Sequence, residues 1–217
     1  MRRTSTTSNA LLGLLALRPS WSTWELAQQM GRNLRYFWPR AESRVYDELR
    51  RLDAAGLVRA DRGRVGRRPR TTYEITAAGR RHLERWLAAE PRATYLESEA
   101  LLRVLLGRLA GEVELRTAVA QVRADADAII AVSQDVADEY MSGTAPFQDH
   151  VRVRALVFDY LRRHATAMSE WADAAEAHLD AIQGASDADA DAAGVELIAR
   201  SHKSLAASLA LRRSPLP

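Results

Sequence analysis

Apolar residues recur at helical spacing through most of the chain, and this pattern predicts a largely α-helical protein. In the first ninety residues the pattern marks four helices. Ser8 or Asn9 is expected to cap the first helix. Ser22 and Glu25 have the spacing of a capping box at the start of the second, and Gly31 is expected to end it.

The third helix is predicted to begin near Pro39 and to end before Gly56. Val45, Leu49 and Leu52 form one apolar stripe along it, which predicts the face that packs against the core. The face that remains is polar and rich in arginine. Its predicted outward residues are Arg40, Ser43, Arg44, Asp47, Arg50 and Arg51.

Two strand-like runs, 57–61 and 70–75, follow the third helix, and Thr76 is expected to cap a fourth. The segment between the runs reads RGRVGRRPR and spans 62–70. Five arginines, two glycines and a proline exclude it from a core and from a regular helix. The pattern predicts a β-hairpin with a long, arginine-rich tip.

The second half of the chain carries two long apolar stripes, in 112–141 and in 147–182. Stripes of this kind in consecutive helices predict an antiparallel pair with coiled-coil-like packing. A continuous helix over 147–182 would be longer than a small domain can cover. Part of its surface is therefore expected to meet a second chain.

A third segment of the second half, ASDADADAA at 185–193, is interpreted as a flexible, solvated linker to a last helix. Asp187, Asp189 and Asp191 have the spacing of calcium ligands in an EF-hand loop. Ala192 stands where that loop needs glycine and Ile198 where it needs glutamate, so no metal site is predicted.

Charge divides the chain into the same two parts. Residues 1–93 hold nineteen arginines and nine acidic residues, a net charge of +10, whereas residues 94–217 have twelve basic and nineteen acidic residues, a net charge of −7. Only the first part is therefore expected to meet a polyanion. The chain has no cysteine, which fits a reducing compartment. An apolar run at 10–17 after two arginines is similar to a secretory signal, but no cleavage site follows it.

Three helices, a hairpin and a fourth helix form the order of a winged helix-turn-helix. The fold class is thus mainly α with a small β-hairpin: a DNA-binding domain over 1–93 and a helical dimerisation domain over 94–217. The third helix fits the major groove, and the hairpin arginines can neutralise phosphates. The candidate DNA-binding residues are Arg40, Ser43, Arg44, Tyr46, Arg64, Arg67, Arg68 and Arg70. The alternative for the hairpin tip is a solvated loop without a DNA contact.

Three segments resemble the PadR-like transcriptional regulators: NALLGLLALRPSWSTWELAQQM, SRVYDELRRLDAAGLV and RRPRTTYEITAAGRRHLERWL. The matching positions are Tyr46, Leu49, Arg50, Arg51, Leu52, Gly56, Leu57, Val58, Tyr73, Thr76, Gly79 and Arg80. The resemblance implies a bacterial, cytoplasmic regulator, a homodimer formed by its C-terminal helices, a DNA-facing Tyr46, and a small aromatic or drug-like effector. Glu42, Ser43 and Arg44 depart from the Pro-Gly-Thr of the family, so the operator cannot be carried over from relatives.

We therefore expect a repressor that binds double-stranded DNA at an inverted-repeat operator, without a cofactor and without a membrane span. The sequence lacks a glycine-rich phosphate loop, a nucleophile elbow and a zinc motif, so an enzyme is not expected. A winged-helix module that binds an acidic protein partner remains the alternative. Arginines on both the third helix and the hairpin favour DNA.

Overall fold

The computed structural model describes residues 4–38, 42–65 and 68–213, which divide into two compact units, Met1–Tyr95 and Leu96–Pro217. The elements of the first unit are α1 (Thr6–Ala16), β1 (Trp21–Ser22), α2 (Thr23–Leu34), α3 (Glu42–Ala54), β2 (Val58–Val65), β3 (Arg68–Ile75) and α4 (Ala77–Ala88). Those of the second are α5 (Glu99–Leu105), α6 (Glu112–Met141), α7 (Val151–Ala181) and α8 (Asp187–Arg213), with short 3-10 turns at Gly107–Leu109 and Gln148–His150.

The start of α2 follows the predicted capping box. The Ser22 hydroxyl accepts from the Glu25 N–H at 3.3 Å, and the Glu25 carboxylate accepts from the Ser22 N–H at 2.7 Å. The predicted end at Gly31 is wrong, because α2 continues to Leu34. Glycine inside a helix costs only about 1 kcal/mol relative to alanine, so it does not by itself end one.

The start of α1 differs from the prediction. Ser5 caps the helix by accepting from the N–H of Ser8 at 3.0 Å. Ser8 and Asn9, the expected caps, lie inside α1 and are 3% and 2% exposed. The side chains of Ser8 and Asn9 bind other helices instead, and Thr7 binds the segment after α2. The three pairs are Thr7 with the indole N–H of Trp38 (3.2 Å), Ser8 with the carboxylate of Glu48 (2.5 Å), and Asn9 with the imidazole of His82 (3.1 Å).

The core of the first unit is built from the apolar stripes that the sequence predicts. Val45, Leu49 and Leu52 of α3 are at most 1% exposed, so the predicted inward face is confirmed. Burying each such side chain contributes roughly 1.5–3 kcal/mol to folding. The other fully buried large side chains of this unit are Leu11, Leu12, Leu15, Trp21, Leu26 and Val58.

The hairpin is confirmed but is longer than predicted, and a third strand joins it. The sheet order is β1-β3-β2, all antiparallel, and β2 pairs with β3 from Val58 opposite Ile75 to Val65 opposite Arg68. The expectation of a loop is therefore wrong for 62–65 and 68–69, whereas the strand predicted from residue 70 is confirmed. Pro69 is compatible with a strand because β1 pairs only near Thr72, which leaves β3 one neighbour at residue 69.

The start of α4 is fixed to the start of the hairpin. Thr76 caps α4 by accepting from the Gly79 N–H at 3.0 Å, and its hydroxyl donates to the Gly56 carbonyl at 2.8 Å. A Cβ atom on Gly79 would lie 2.1 Å from the carbonyl oxygen of Leu57. The helix thus approaches the backbone more closely than any side chain allows.

The second unit is dominated by α6 and α7, which pack as an antiparallel pair. Arg116 of α6 binds Asp180 of α7 at 2.7 Å, and Arg123 binds Glu176 at 2.8 Å. The predicted flexible linker is wrong, because α8 begins at Asp187, within it. Ser186 accepts from the N–H of Asp189 at 3.2 Å and the helix starts with acidic residues, both of which favour a helix N-terminus.

Within the described residues, no helix combines the length and the apolar character that crossing a membrane requires. The same residues contain no group of three or more acidic or histidine side chains that could hold a metal ion. The aspartates at the start of α8 are used differently: two of them bind Arg108, Asp187 at 3.3 Å and Asp191 at 3.2 Å.

Replacing Gly79 with alanine tests the contact between α4 and the hairpin. We expect Gly79→Ala to lower the free energy of unfolding of the first unit by about 3 kcal/mol or more, because the new methyl group overlaps the Leu57 backbone. Gly31→Ala is the matched control, since its Cβ meets open space in a helix, and we expect it to stabilise by up to about 1 kcal/mol. Denaturant unfolding in a Trp171→Phe background follows tryptophans of the first unit alone. Equal effects of the two alanines would contradict the close approach.

Candidate nucleic-acid interface

The outward face of α3 begins with Arg44. Arg44 is exposed and makes no ion pair with any residue that the structure describes. One turn further, Asp47 binds Arg50 at 2.5 Å. The backbone of Ser43 lies in the first turn of α3, whereas Arg40 lies outside the described residues. Along the outward face of α3, the guanidinium of Arg44 is therefore exposed to solvent, whereas that of Arg50 is bound to Asp47.

The hairpin distributes its arginines over two faces. Directly opposite residues of an antiparallel pair share a face, and Ala60 lies opposite the buried Tyr73. Arg62 and Arg64, two and four residues further along β2, are on this same face. Arg70 lies opposite Gly63 and so is on the other face. Of the other predicted arginines of the hairpin, Arg68 begins β3 and Arg67 lies outside the described residues.

The arginines of the hairpin differ in their acidic partners. Three of them form ion pairs, one between the two strands and two with helices. These pairs are Arg59 with Glu74 (2.6 Å), Arg62 with Asp53 of α3 (3.4 Å), and Arg70 with Glu25 of α2 (3.7 Å). Arg64 is exposed and has no ion pair with the described part of the chain. Arg62 and Arg70 connect the hairpin to helices, Arg59 connects its two strands, and Arg64 is exposed to solvent.

A shallow concavity of about 640 Å³ lies between α3 and the middle of the hairpin. Its lining residues are Thr23, Tyr46, Asp47, Arg50, Thr71 and Tyr73. Tyr46 is 46% exposed and therefore accessible from solvent, as predicted for a DNA-facing residue, although its contact with DNA stays a prediction. The predicted site omitted the other five lining residues, Thr23, Asp47, Arg50, Thr71 and Tyr73. Strand alternation puts Thr71 and Tyr73 on one face, but only the tertiary fold brings that face to α3.

Tyr73 keeps its proton in this concavity. Burial raises the pKa of its hydroxyl, and the negative charge of Asp53 raises the pKa further. The phenol is consequently a neutral hydrogen-bond donor at any physiological pH, and it adds no negative charge to a surface that carries exposed arginines.

The carboxylate of Glu25 binds residues from several elements of the first unit. Burial raises the pKa of its carboxyl, but the hydroxyl and backbone N–H of Ser22 donate to it and Arg18 binds it at 2.7 Å. These contacts outweigh burial and lower the pKa from 4.5 to about 2. The guanidinium of Arg18 also lies 3.6 Å from the ring centre of Trp21, in β1. Glu25 thereby connects α2, β1 and, through Arg70, β3.

A known family shares this unit. Residues 11–85 match the family of PadR-like transcriptional regulators. Within this unit the chain is therefore similar to the PadR-like family. The resemblance inferred from the sequence is thus confirmed, and so is the expectation of a regulator rather than an enzyme, because the PadR-like family consists of transcriptional regulators.

A curated relative agrees with this family. The chain is 35% identical over 68 residues to the probable transcriptional regulator Rv1176c of Mycobacterium tuberculosis. The match covers 31% of this chain and 36% of that protein, so the chain spans about a third of the length of this relative.

Solved structures extend the likeness to most of the chain. A PadR-like transcriptional regulator from Bacillus cereus aligns with a TM-score of 0.68 at 19% identity, over 81% of this chain and 99% of that one. Bacillus subtilis PadR in complex with operator DNA aligns with a TM-score of 0.66 at 19% identity, over 81% and 99% of the two chains. At this identity the likeness establishes the fold, which confirms the predicted winged helix with a helical C-terminal region.

The pKa of Glu25 predicts how the stability of the PadR-like unit depends on pH. Its folded-state value of about 2 is below the unfolded value of 4.5, so its stabilisation is complete above about pH 4.5 and disappears as pH falls through about 2. We expect Glu25→Gln to lower the free energy of unfolding by about 1–3 kcal/mol at pH 7, since partial exposure screens the ion pairs.

The measurement is denaturant unfolding of Glu25→Gln and wild type between pH 7 and pH 2, followed by the tryptophans of the first unit. The difference between the two proteins should shrink below about pH 4.5. Glu74→Gln, which removes an exposed partner of Arg59, is the control and should change stability by less than about 1 kcal/mol. A constant difference across the range would show that Glu25 contributes through shape rather than charge.

Proposed function

We propose that this PadR-like protein represses transcription as a homodimer that binds an inverted-repeat operator in double-stranded DNA. The observation that supports the proposal most is the pairing state of its arginines. Arg44 on α3 and Arg64 on the hairpin are exposed, with no ion pair to the described residues, whereas neighbouring arginines are bound to carboxylates. Cations left without an internal partner on one helix and one hairpin fit a polyanion with a groove.

The proposed roles follow the two elements. On α3, the candidates for reading bases are Arg40, Ser43 and Arg44, with Tyr46 towards a phosphate. On the hairpin, the proposed phosphate contacts are Arg64, Arg67, Arg68 and Arg70. The ion pair between Arg70 and Glu25 gives Arg70 a second role, since it also connects β3 to α2.

The exposed apolar surface of the second unit supports a homodimer. The predicted stripes of α6 and α7 pack against each other within one chain. Apolar side chains remain exposed on α8, where Val195, Ile198, Leu205 and Leu209 fall on one face of the helix. Two copies joined in this region would present two α3 helices to successive turns of the major groove, about 34 Å apart.

The proposed effector is a small aromatic molecule, and the proposal rests on likeness alone. Bacillus subtilis PadR, which is 20% identical to this chain, has a structure in complex with p-coumaric acid. We place the protein in the cytoplasm, where a bacterial regulator meets its DNA. An acidic protein partner in place of DNA is the competing outcome of the experiments that follow.

Arg44 and Arg64 are matched probes, because both are exposed arginines that form no ion pair with the described residues. With an operator selected from a random DNA pool, Arg44→Ala should cost about 1–3 kcal/mol on the operator and less on random DNA, as a base contact does. Arg64→Ala should weaken both DNAs by a similar factor. It should also flatten the slope of log affinity against log salt by up to ~1.8 for a dimer, because phosphate contacts are independent of sequence.

Fluorescence anisotropy titrations at several salt concentrations measure both effects. Equal losses on operator and random DNA for Arg44→Ala would make Arg44 a phosphate contact. An unchanged salt slope for Arg64→Ala would leave the hairpin as a solvated element. Recovery of no sequence from the pool would favour the acidic protein partner over DNA.

The dimer is tested on the apolar face of α8. The double variant Ile198→Asp, Leu205→Asp should run as a monomer by light scattering at micromolar concentration, because two charges would be buried at the interface. Ser204→Asp with Ala207→Asp adds the same charge to the opposite face and should stay dimeric. A dimeric Ile198→Asp, Leu205→Asp variant would exclude this face from the interface.

A further inference from the structure

A carboxylate, that of Glu48, lies within the buried apolar stripe of α3. Val45, Glu48, Leu49 and Leu52 have the spacing i, i+3, i+4, i+7, and the three apolar members are at most 1% exposed. The side chain of Glu48 is only 12% exposed. An apolar residue would pack at this position without cost, whereas a buried carboxylate must be desolvated. Its presence on this face needs a reason other than burial of surface.

The contacts of Glu48 are directional and involve both of its oxygens. The hydroxyl of Ser8, which is 3% exposed, donates to Oε2 at 2.5 Å. Arg51 donates to Oε1 at 3.1 Å. Ser8 is in turn held by Ser5, whose hydroxyl donates to it at 3.2 Å. The chain of hydrogen bonds thus runs from the N-cap of α1 to the inner face of α3.

This chain of hydrogen bonds constrains the rotation of α3 about its own axis. Apolar contacts have no directional preference, so a leucine stripe tolerates a small roll of the helix. Side chains lie about 5–6 Å from the helix axis, and a roll of about 10° therefore moves them by about 1 Å. A hydrogen bond has a distance range of about half an ångström, so it does not survive that movement. The same roll would displace Arg44 on the outer face.

We propose that Glu48, bound by Ser8, is a positioning residue that fixes the roll of α3 and so aligns its outer face with the bases. The proposal rests on the DNA-binding function proposed above. Glu48 faces the core and touches no DNA; it acts through the orientation of α3. Its effect is therefore on the discrimination between sequences, and not on the charge available for phosphates.

Stability and discrimination separate this role from a merely structural one. Glu48→Leu removes the acceptor of the buried Ser8 hydroxyl, which destabilises the fold, but it also adds a leucine side chain to the buried apolar stripe, which stabilises it. Because these two effects oppose each other, we expect the midpoint of unfolding to stay close to that of wild type. If Glu48 only stabilised the fold, the operator preference of a folded Glu48→Leu protein would equal that of wild type.

The experiment compares full-length Glu48→Leu, Glu48→Gln and Ser8→Ala with wild type. The readout is the ratio of affinities for the selected operator and for random DNA of equal length, at fixed salt. We expect Glu48→Leu to lower this ratio about tenfold or more, with affinity for random DNA within about twofold. Glu48→Gln still accepts from Ser8 and should keep the ratio within about threefold. Glu84→Leu, on the exposed side of α4, is the matched control and should not change the ratio.

Ser8→Ala keeps the test decisive if Glu48→Leu fails to fold. It removes the same hydrogen bond by deleting one hydroxyl, and it should lower the ratio at least threefold. In Ser8→Ala, Glu48→Leu the two effects should not add, because both changes break one contact. An unchanged ratio in folded Glu48→Leu or in folded Ser8→Ala overturns the proposal. A wild type that selects no sequence overturns the proposed function, and this inference with it.

Discussion

Three consecutive buried polar side chains at the start of α1 determine how the first unit is assembled. Thr7, Ser8 and Asn9 each bind a different partner: the segment after α2, then α3, then α4. Leaving any of these polar groups unpaired in the core would cost about 1–3 kcal/mol. The apolar core brings the helices together, and these three hydrogen bonds restrict how they are oriented. The placement of α3 therefore depends on α1, which contributes no residue to the candidate interface.

Features of the fold that depend on local sequence were predictable. The capping box of Ser22 and Glu25, the stripe of α3 and the bounds of α6 all follow from spacing within a single element. Features that depend on distant residues were not. The strand β1 exists because Trp21 and Ser22 meet β3 some fifty residues later. Ser8 has the residue type of a cap, but Ser5 caps α1 and the Ser8 side chain binds Glu48 of α3. This contact between distant residues cannot be predicted from the local sequence.

The candidate interface was likewise predictable only where it depends on local sequence. Composition identified an arginine-rich helix and hairpin, and the structure contains both elements as α3 and the pair β2–β3. It could not distinguish Arg64 from Arg70, because the acid that binds Arg70 is Glu25, forty-five residues away in the sequence. It also missed Tyr73, whose place beside α3 depends on the pairing of three strands. Local pattern indicates where positive charge lies, and tertiary contacts decide how much of it is available.

The ion pairs between α6 and α7 exclude alternative registers of the two helices. Their interface is rich in alanine, including the fully buried Ala126, Ala165 and Ala172, and such small side chains interlock weakly. A slip of seven residues would preserve the apolar stripe but would move one arginine away from its acids. In one direction Arg123 would face Thr166 and Ser169, and in the other Arg116 would pass the end of α7. Only the observed register pairs both arginines with acidic residues of α7. The ion pairs therefore oppose a shift of one helix along the other, which the small alanine side chains do little to prevent.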